Sequence, residues 1–345
     1  MQQNERLMAG SSRFIRTTWM LSATRTLDLP NFGARIRLMP MQEAQELADL
    51  IRRRNVFARH SYENNFYVQR AHELGEMTVI EVALPGEPDD VIPRAAPLAD
   101  AIERVAVLST VFATSRARLH RQLAISSHQR FGIDLTIGPD CYYLRSSSRR
   151  EPRARGVSID QPFQNRFSRL PFQELIHASL SDDPLARRIT TTLSWLFESR
   201  RDATASAALV KTAIALESLL IHNQTEPLTA SLSERAAMIL TKDAQMRRKI
   251  SRAVKDFYAA RSAVVHGRGR RSGQIPAELI EGADRLVMLL CLTMGANGAL
   301  WNSIDRIIEW CEGERWGDPA HGETHTLAQS LIRRAVALLE RKKGS

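Results

Sequence analysis

From Asp183 to Arg341 the apolar residues of this chain recur at every third or fourth position, and that spacing over so long a stretch is compatible with little except amphipathic helices. It divides into Pro184–Arg201, Thr204–Ile221, Ser231–Thr241, Ala244–His266, Ala277–Trp301, Ile304–Cys311 and Thr324–Arg341. The links between them are short, which favours antiparallel neighbours in a bundle. Ser231-Leu-Ser-Glu234 has the spacing of a capping box, and Pro276 stands where a helix would begin. The most apolar run, Leu286 to Trp301, is interrupted by Gly295, Asn297 and Gly298. It is too short to cross a bilayer and reads as a buried helix, so no membrane partner is expected.

The first half has a different texture. Met77–Leu84 is rich in β-branched residues and stops at Pro85-Gly86, as a strand before a turn would. Phe131–Ile137 alternates apolar and polar and stops at Gly138-Pro139, with Cys141–Leu144 as a candidate hairpin partner. Helical spacing covers Met41–Arg54 and Ala96–Ala113, where Leu98, Ile102, Val105 and Leu108 lie on one face. The expected fold class is therefore α+β. Residues 1–35 read as a basic tail, 36–182 as a mixed α/β domain, and 183–345 as an all-α bundle. At 345 residues, two domains are expected.

Charge narrows the partners. Lys and Arg outnumber Asp and Glu by ten, and the isoelectric point is about 10.0, which favours a polyanion such as nucleic acid. Between Arg145 and Arg155 there are five arginines and one acid, Glu151. This segment, with Arg149, Arg150 and Arg153, reads either as a phosphate-binding loop or as a surface loop kept soluble by its charge. The three cysteines are widely separated and form neither a metal-binding pair nor a disulfide framework, which fits a reducing cytoplasmic setting. No cofactor-binding motif is visible. Asp182-Asp183 reads as a helix cap rather than a cation site, and His321-Gly-Glu-Thr-His325 as a loop, so no metal is expected.

Two charges interrupt the apolar rows. On Thr204–Ile221, Glu217 falls in the row Val210, Ile214, Glu217, Ile221. On Ala244–His266, Arg261 falls in the row Ile250, Val254, Phe257, Arg261, Val264. A buried lone charge is costly and an opposite charge offsets much of that cost, so the two are expected to meet across a helix contact. Such a pair serves equally as a structural device or as part of a site. His266 lies on a different row, with Lys255, Tyr258 and Ser262, about 140° round the helix from Arg261. The two converge on one target only if the helix ends at His266, as a following Gly267 favours, or if two copies share a cleft. Arg268, Arg270 and Arg271 follow among glycines and suit a phosphate backbone.

Three separated strings, Ala213–Leu220, Ser233–Ala237 and Phe257–Gly267, together resemble the Apea-like branch of the HEPN superfamily, over about two fifths of the chain from Ser206 onward. The resemblance implies a helical bundle that homodimerises, with Arg261 and His266 as the arginine–histidine motif of a metal-independent ribonuclease. It gives Glu217 the place of the family's first-helix acid and Ser262 that of the polar residue after the arginine. Tyr258 and Ser262 become candidate supporting residues. The implied activity is endonucleolytic cleavage of RNA by its own 2′-OH, leaving a 2′,3′-cyclic phosphate. The setting implied is bacterial antiviral defence or a toxin system, with a phage or stress trigger. Some members have lost catalysis, so the alternative is a module that dimerises and binds nucleic acid or a partner protein. By analogy with the branch, the α/β region would sense the trigger, bind substrate or restrain the nuclease.

Overall fold

The computed structural model describes residues 11–18, 20–54, 68–113, 125–138, 141–152, 157–202, 204–223, 225–266, 275–316, 327 and 329–340, of which 125–132 and 146–152 are described as backbone only. The chain forms two compact units: Met1–Val107 with Gln122–Arg166, and Leu108–Arg121 with Phe167–Ser345. The fold is α+β, with an antiparallel sheet in the first unit and helices in the second.

In the first unit the strands are β1 (Ser11–Thr17), β2 (Leu21–Ala23), β3 (Leu27–Leu29), β4 (Ala34–Leu38), β5 (Thr78–Pro85), β6 (Ile125–Ile137), β7 (Tyr142–Pro152) and β8 (Val157–Ile159). The helices are α1 (Met41–Arg54), α2 (Pro88–Ser109, entering the second unit at its end) and α3 (Gln161–Arg169). Six strands form an antiparallel sheet in the order β3-β4-β5-β1-β6-β7, and β2 pairs with β8 in parallel. Ile15, Val79, Ile133, Leu135 and Ile137 share one sheet face and pack against Ala44, Leu47, Ala48 and Ile51 of α1. The opposite face carries α2, reached by Arg16, which donates to the Ala96 carbonyl at 3.1 Å and to Asp100 at 2.5 Å.

Residues 11–35 are thus no basic tail. They supply the central strand β1 and three more strands or parts of strands, with Phe14, Ile15, Arg16 and Thr17 all buried. The charges that suggested solvation are neutralised inside. Arg16 forms two hydrogen bonds to Asp134, at 2.9 and 3.0 Å. Arg13, Arg35 and Arg37 surround Glu81 and Glu43; Arg37 lies 2.8 Å from Glu81 and 2.7 Å from Glu43, and Arg35 lies 2.9 Å from Glu81. Burial by itself would raise the Glu81 pKa, but the hydrogen bond from Arg35 and the charges of Arg13, Arg37 and Arg35 outweigh it and hold it at about 2.

The β6–β7 hairpin and the strand after Met77 are where the alternation places them. The basic segment that follows the hairpin turn is not a loop: Arg145 to Pro152 continues β7. Arg153 lies outside the described residues.

The second unit contains α4 (Phe172–Leu180), α5 (Pro184–Arg201), α6 (Ala205–Leu220), α7 (Leu228–Leu240), α8 (Ala244–Val265), α9 (Ala277–Ala296), α10 (Ile304–Trp316) and α11 (Gln329–Glu340). Every helix expected after Asp183 is present, most within a few residues of its expected ends. The unit also begins earlier than 183, since α4 and residues 108–121 belong to it. α9 is buried almost all round, as an apolar helix without a polar face must be, and forms the centre. It ends at Ala296, just past Gly295 and short of Trp301, where the apolar run is interrupted. A Cβ at Gly295 would sit 3.2 Å from Leu175 Cα, so glycine lets α4 approach closely. Gly282 does the same for α11, where a Cβ would lie 3.1 Å from the Ala335 carbonyl oxygen. Asp183, Thr204 and Asp243 cap α5, α6 and α8 through side chains that accept backbone N–H groups. The Ser231–Glu234 capping box does not form, because α7 starts at Leu228 and both residues lie inside it. Glu234 instead receives Arg315 Nε at 2.9 Å. No described helix is long and apolar enough to cross a membrane.

Candidate functional site

α6 and α8 are neighbours in the bundle, and the two interrupting charges meet between them. Arg261 Nη2 lies 3.6 Å from Glu217 Oε1, within the range where opposite charges act strongly on each other. The contact is half-buried, with the arginine side chain 25% exposed and the glutamate 26%. The same carboxylate oxygen accepts a hydrogen bond from the Tyr258 hydroxyl at 2.7 Å, and the Ala213 carbonyl oxygen is 3.3 Å from that hydroxyl. Tyr258 therefore corrects one expectation: it is not on an exposed polar row beside Lys255 and Ser262, but buried, its ring edge-on to Phe257. Its burial and its bond to Glu217 hold the phenol protonated far above its ordinary range.

The arrangement leaves Arg261 positioned but unsaturated. Tyr258 occupies the carboxylate oxygen nearest to it at true hydrogen-bond length, and the guanidinium stands beyond that distance. Arg261 Nε is buried and has no hydrogen-bond partner among the described residues. The terminal nitrogens, on a side chain a quarter exposed, are the donors that another oxyanion can reach.

α8 stops at Val265, and His266 is its cap, with φ −89° and ψ 10°. Its N–H donates to the Ser262 carbonyl at 3.1 Å, the last helical bond. The helix thus ends at His266, as the following glycine leads one to expect. The His266 side chain is exposed, as are those of Ser262 and Lys255. Arg268, Arg270 and Arg271 lie outside the described residues. Arg149 and Arg150 belong to β7, in the other unit. Among the described residues no group of three or more His, Cys, Asp or Glu is placed to hold a metal ion.

The structure gives supporting roles to three arginines, of which the reading of the sequence held only Arg235, within the string Ser233–Ala237. Arg188 donates to the carbonyls of Ser218 and Ile221 at 3.0 and 2.7 Å, and Arg235 to that of Leu220 at 2.5 Å. Together they satisfy the open C-terminal carbonyls of α6, one turn beyond Glu217. Arg235 also pairs with Glu226 at 2.6 Å. A Glu226 carboxylate that would rise on burial is held at about 2 by Arg235 and by the amides of His222 and Asn223. Deeper in the bundle, Arg200 of α5 meets Asp284 of α9 at 3.0 Å, and Thr212 of α6 donates to the same carboxylate at 2.8 Å. Asp284 interrupts an apolar helix just as Glu217 and Arg261 do, so the same signal was available for it.

The chain matches no protein-family model, no curated protein and no solved structure. The functional reading therefore rests on these residues and on the motif resemblance.

Proposed function

We propose that this chain is a metal-independent endoribonuclease of the HEPN type, with Arg261 and His266 as its centre. The observation that carries the reading is the condition of Arg261. It is held by Glu217 at 3.6 Å, beyond hydrogen-bond length, and a quarter exposed, five residues before an exposed histidine at a helix end. A guanidinium in that condition suits the non-bridging oxygens of a phosphodiester, whose charge grows in the transition state. An exposed imidazole can both accept and donate a proton, which suits transfer of the proton. The RNA 2′-OH loses its proton and attacks the adjacent phosphorus. The bond to the 5′ oxygen breaks, and that oxygen takes up a proton. The products are a 2′,3′-cyclic phosphate and a free 5′-OH. One histidine serves as acid or base, and a second copy of the chain in a homodimer supplies the complement. The resemblance extends the proposal to a cytoplasmic role in antiviral defence or a toxin system, released by a phage or stress trigger.

The test is cleavage of labelled RNA by the purified chain in EDTA, together with toxicity on expression in case the enzyme is latent. Arg261→Ala and His266→Ala should each lower cleavage roughly 10²-fold or more, and His266→Ala should relieve toxicity. Wild-type cleavage by both variants would sink the site assignment. An intact dimer with neither cleavage nor toxicity would favour the non-catalytic module instead.

A further inference from the structure

The helix that ends at His266 carries cations along most of its length. α8 holds Arg247, Arg248, Lys249, Arg252, Lys255 and Arg261 against a single acid, Asp256. Two of the six are matched within the helical unit. Arg247 lies 2.8 Å from Glu314 and donates to the Thr241 carbonyl at 2.7 Å, and Arg261 meets Glu217. Arg248, Lys249, Arg252 and Lys255 are exposed, and no described carboxylate lies at ion-pair distance from any of them. Asp256, half-buried one turn beyond Arg252, does not come within that distance of it. A solvated helix face ordinarily alternates its charges. Here Arg248, Arg252 and Lys255 stand four and three residues apart, a spacing at which like charges destabilise a helix. The helices packed beside α8 supply little counter-charge. The single acid of α7, Glu234, receives Arg315, and α11 carries exposed Arg333 and Arg334 with one acid, Glu340, at its last residue.

Three of the four unmatched cations stand in one row that runs to the motif. Arg248, Arg252, Lys255, Ala259, Ser262 and His266 follow one another at steps of four and three residues, within about 40° of a single line along the helix. All six are exposed, and Lys249 flanks the row. At the helical rise per residue the row runs about 27 Å from Arg248 to His266 and about 17 Å from Lys255 to His266. Between the cations and the histidine stand the short side chains of Ala259 and Ser262, so a chain laid on the row can lie close to the helix there. Both aromatic residues of α8, Phe257 and Tyr258, are buried, so its exposed face offers no platform for stacking a base. A line of cations one side chain wide, without such a platform, fits the phosphates of one strand and reads no bases. A second copy of the chain seated on Arg248–Lys255 through the same residues would oppose like charges. We propose that this face of α8 is the substrate track of the nuclease. It holds the backbone of a single-stranded RNA on one side of the bond to be cut, with Arg248, Lys249, Arg252 and Lys255 on the phosphates, and leads that bond to His266. The inference rests on the assignment of Arg261 and His266 above and adds where the rest of the substrate lies.

The test uses a fluorescein-labelled 2′-O-methyl RNA of roughly 20 nucleotides, which has no free 2′-OH and so cannot be cut by the proposed chemistry. Anisotropy is followed between about 50 and 200 mM salt. The variant R248Q/R252Q/K255Q should bind roughly tenfold or more weakly than wild type at about 0.1 M salt, with the log–log slope smaller by about two, as three lost single-strand phosphate contacts require. R94Q/R169Q/R187Q removes the same charge from exposed sites outside α8 and should stay within roughly twofold of wild type. R248Q/R252Q/K255Q should also melt no lower than wild type, because it relieves the neighbouring like charges. In cleavage it should raise KM for long RNA with kcat unchanged, and it should cut a dinucleotide, too short to reach Lys255, at the wild-type rate. His266→Ala should do the reverse, losing kcat while binding the 2′-O-methyl strand as wild type does. Binding by the row without any cleavage therefore breaks the ribonuclease assignment, and wild-type cleavage without binding by the row breaks the track. The proposal is overturned if wild type does not bind at low salt, if R248Q/R252Q/K255Q binds as wild type does, or if both triple variants weaken alike. It is equally overturned if that variant melts below wild type, or if polyglutamate or duplex RNA of equal length competes as well as the single strand.

Discussion

The two units treat buried arginine differently. In the sheet unit, Arg13, Arg35 and Arg37 enclose Glu43 and Glu81, and each guanidinium meets a carboxylate at ion-pair distance. In the helical unit, Arg261 has one carboxylate, shared with Tyr258 and farther from the arginine than a hydrogen bond. The first cluster is closed: each of its arginines meets a carboxylate within hydrogen-bond length. The second is open. The helical unit also holds a closed counterpart in Arg200–Asp284–Thr212, so openness is a property of the Arg261 site and not of helices in general. The lesson is that a half-buried ion pair by itself says little about function. How closely the carboxylate approaches the guanidinium says more.

The comparison is broken most directly at the closed sites. Arg200→Ala leaves Asp284 fully buried with its cation gone. It should cost about 3–5 kcal/mol in denaturant unfolding of the helical unit. A loss below about 1 kcal/mol would mean that the pair is not a structural lock.

Glu81 gives the next largest effect and a pH signature. Its carboxyl is held at about 2 against an ordinary 4.5. A depressed carboxylate contributes stability that is fully present above its unfolded pKa and lost as pH falls towards the folded one. The contribution is about 3 kcal/mol at pH 7 and should fade between about pH 4.5 and pH 2. Glu81→Gln should remove it, so that unfolding of the sheet unit loses most of its pH dependence in that window. An unchanged acid profile would show that the cluster contributes nothing through Glu81.

The open site should respond least. Arg261→Ala removes a partly exposed cation at 3.6 Å and should cost less than about 1 kcal/mol of stability, despite its large expected effect on cleavage. Tyr258→Phe removes one buried hydroxyl bond and should cost about 1 kcal/mol. If Arg261→Ala destabilised as strongly as Arg200→Ala, the two arginines would belong to one class, and the distinction between closed and open would fail.

Local periodicity made the helical unit legible. Its helices repeat apolar residues every three or four positions, and an off-pattern charge marks a position that needs a partner, as Glu217 and Arg261 did. The sheet unit was legible in its helix Met41–Arg54, which has the same apolar spacing, and where β-branched or alternating runs end at turns, as at Thr78–Pro85 and Ile125–Ile137. β1 was missed because Arg13 and Arg16 look solvated when read along the chain. Their carboxylates are remote in sequence, at Glu43, Glu81, Asp100 and Asp134. Residues 146–152 of β7 were missed for the converse reason, since their serines and arginines look like a loop until a strand is paired beside them.

The sequence by itself determined the helical half, the charge surplus and the spacing that ends α8 at His266, because each depends on neighbours within a few residues. Only the tertiary structure decided which charges are closed and which remain open. That depends on carboxylates brought in from elements up to 118 residues away, as Asp134 is to Arg16, and no local pattern carries that distance.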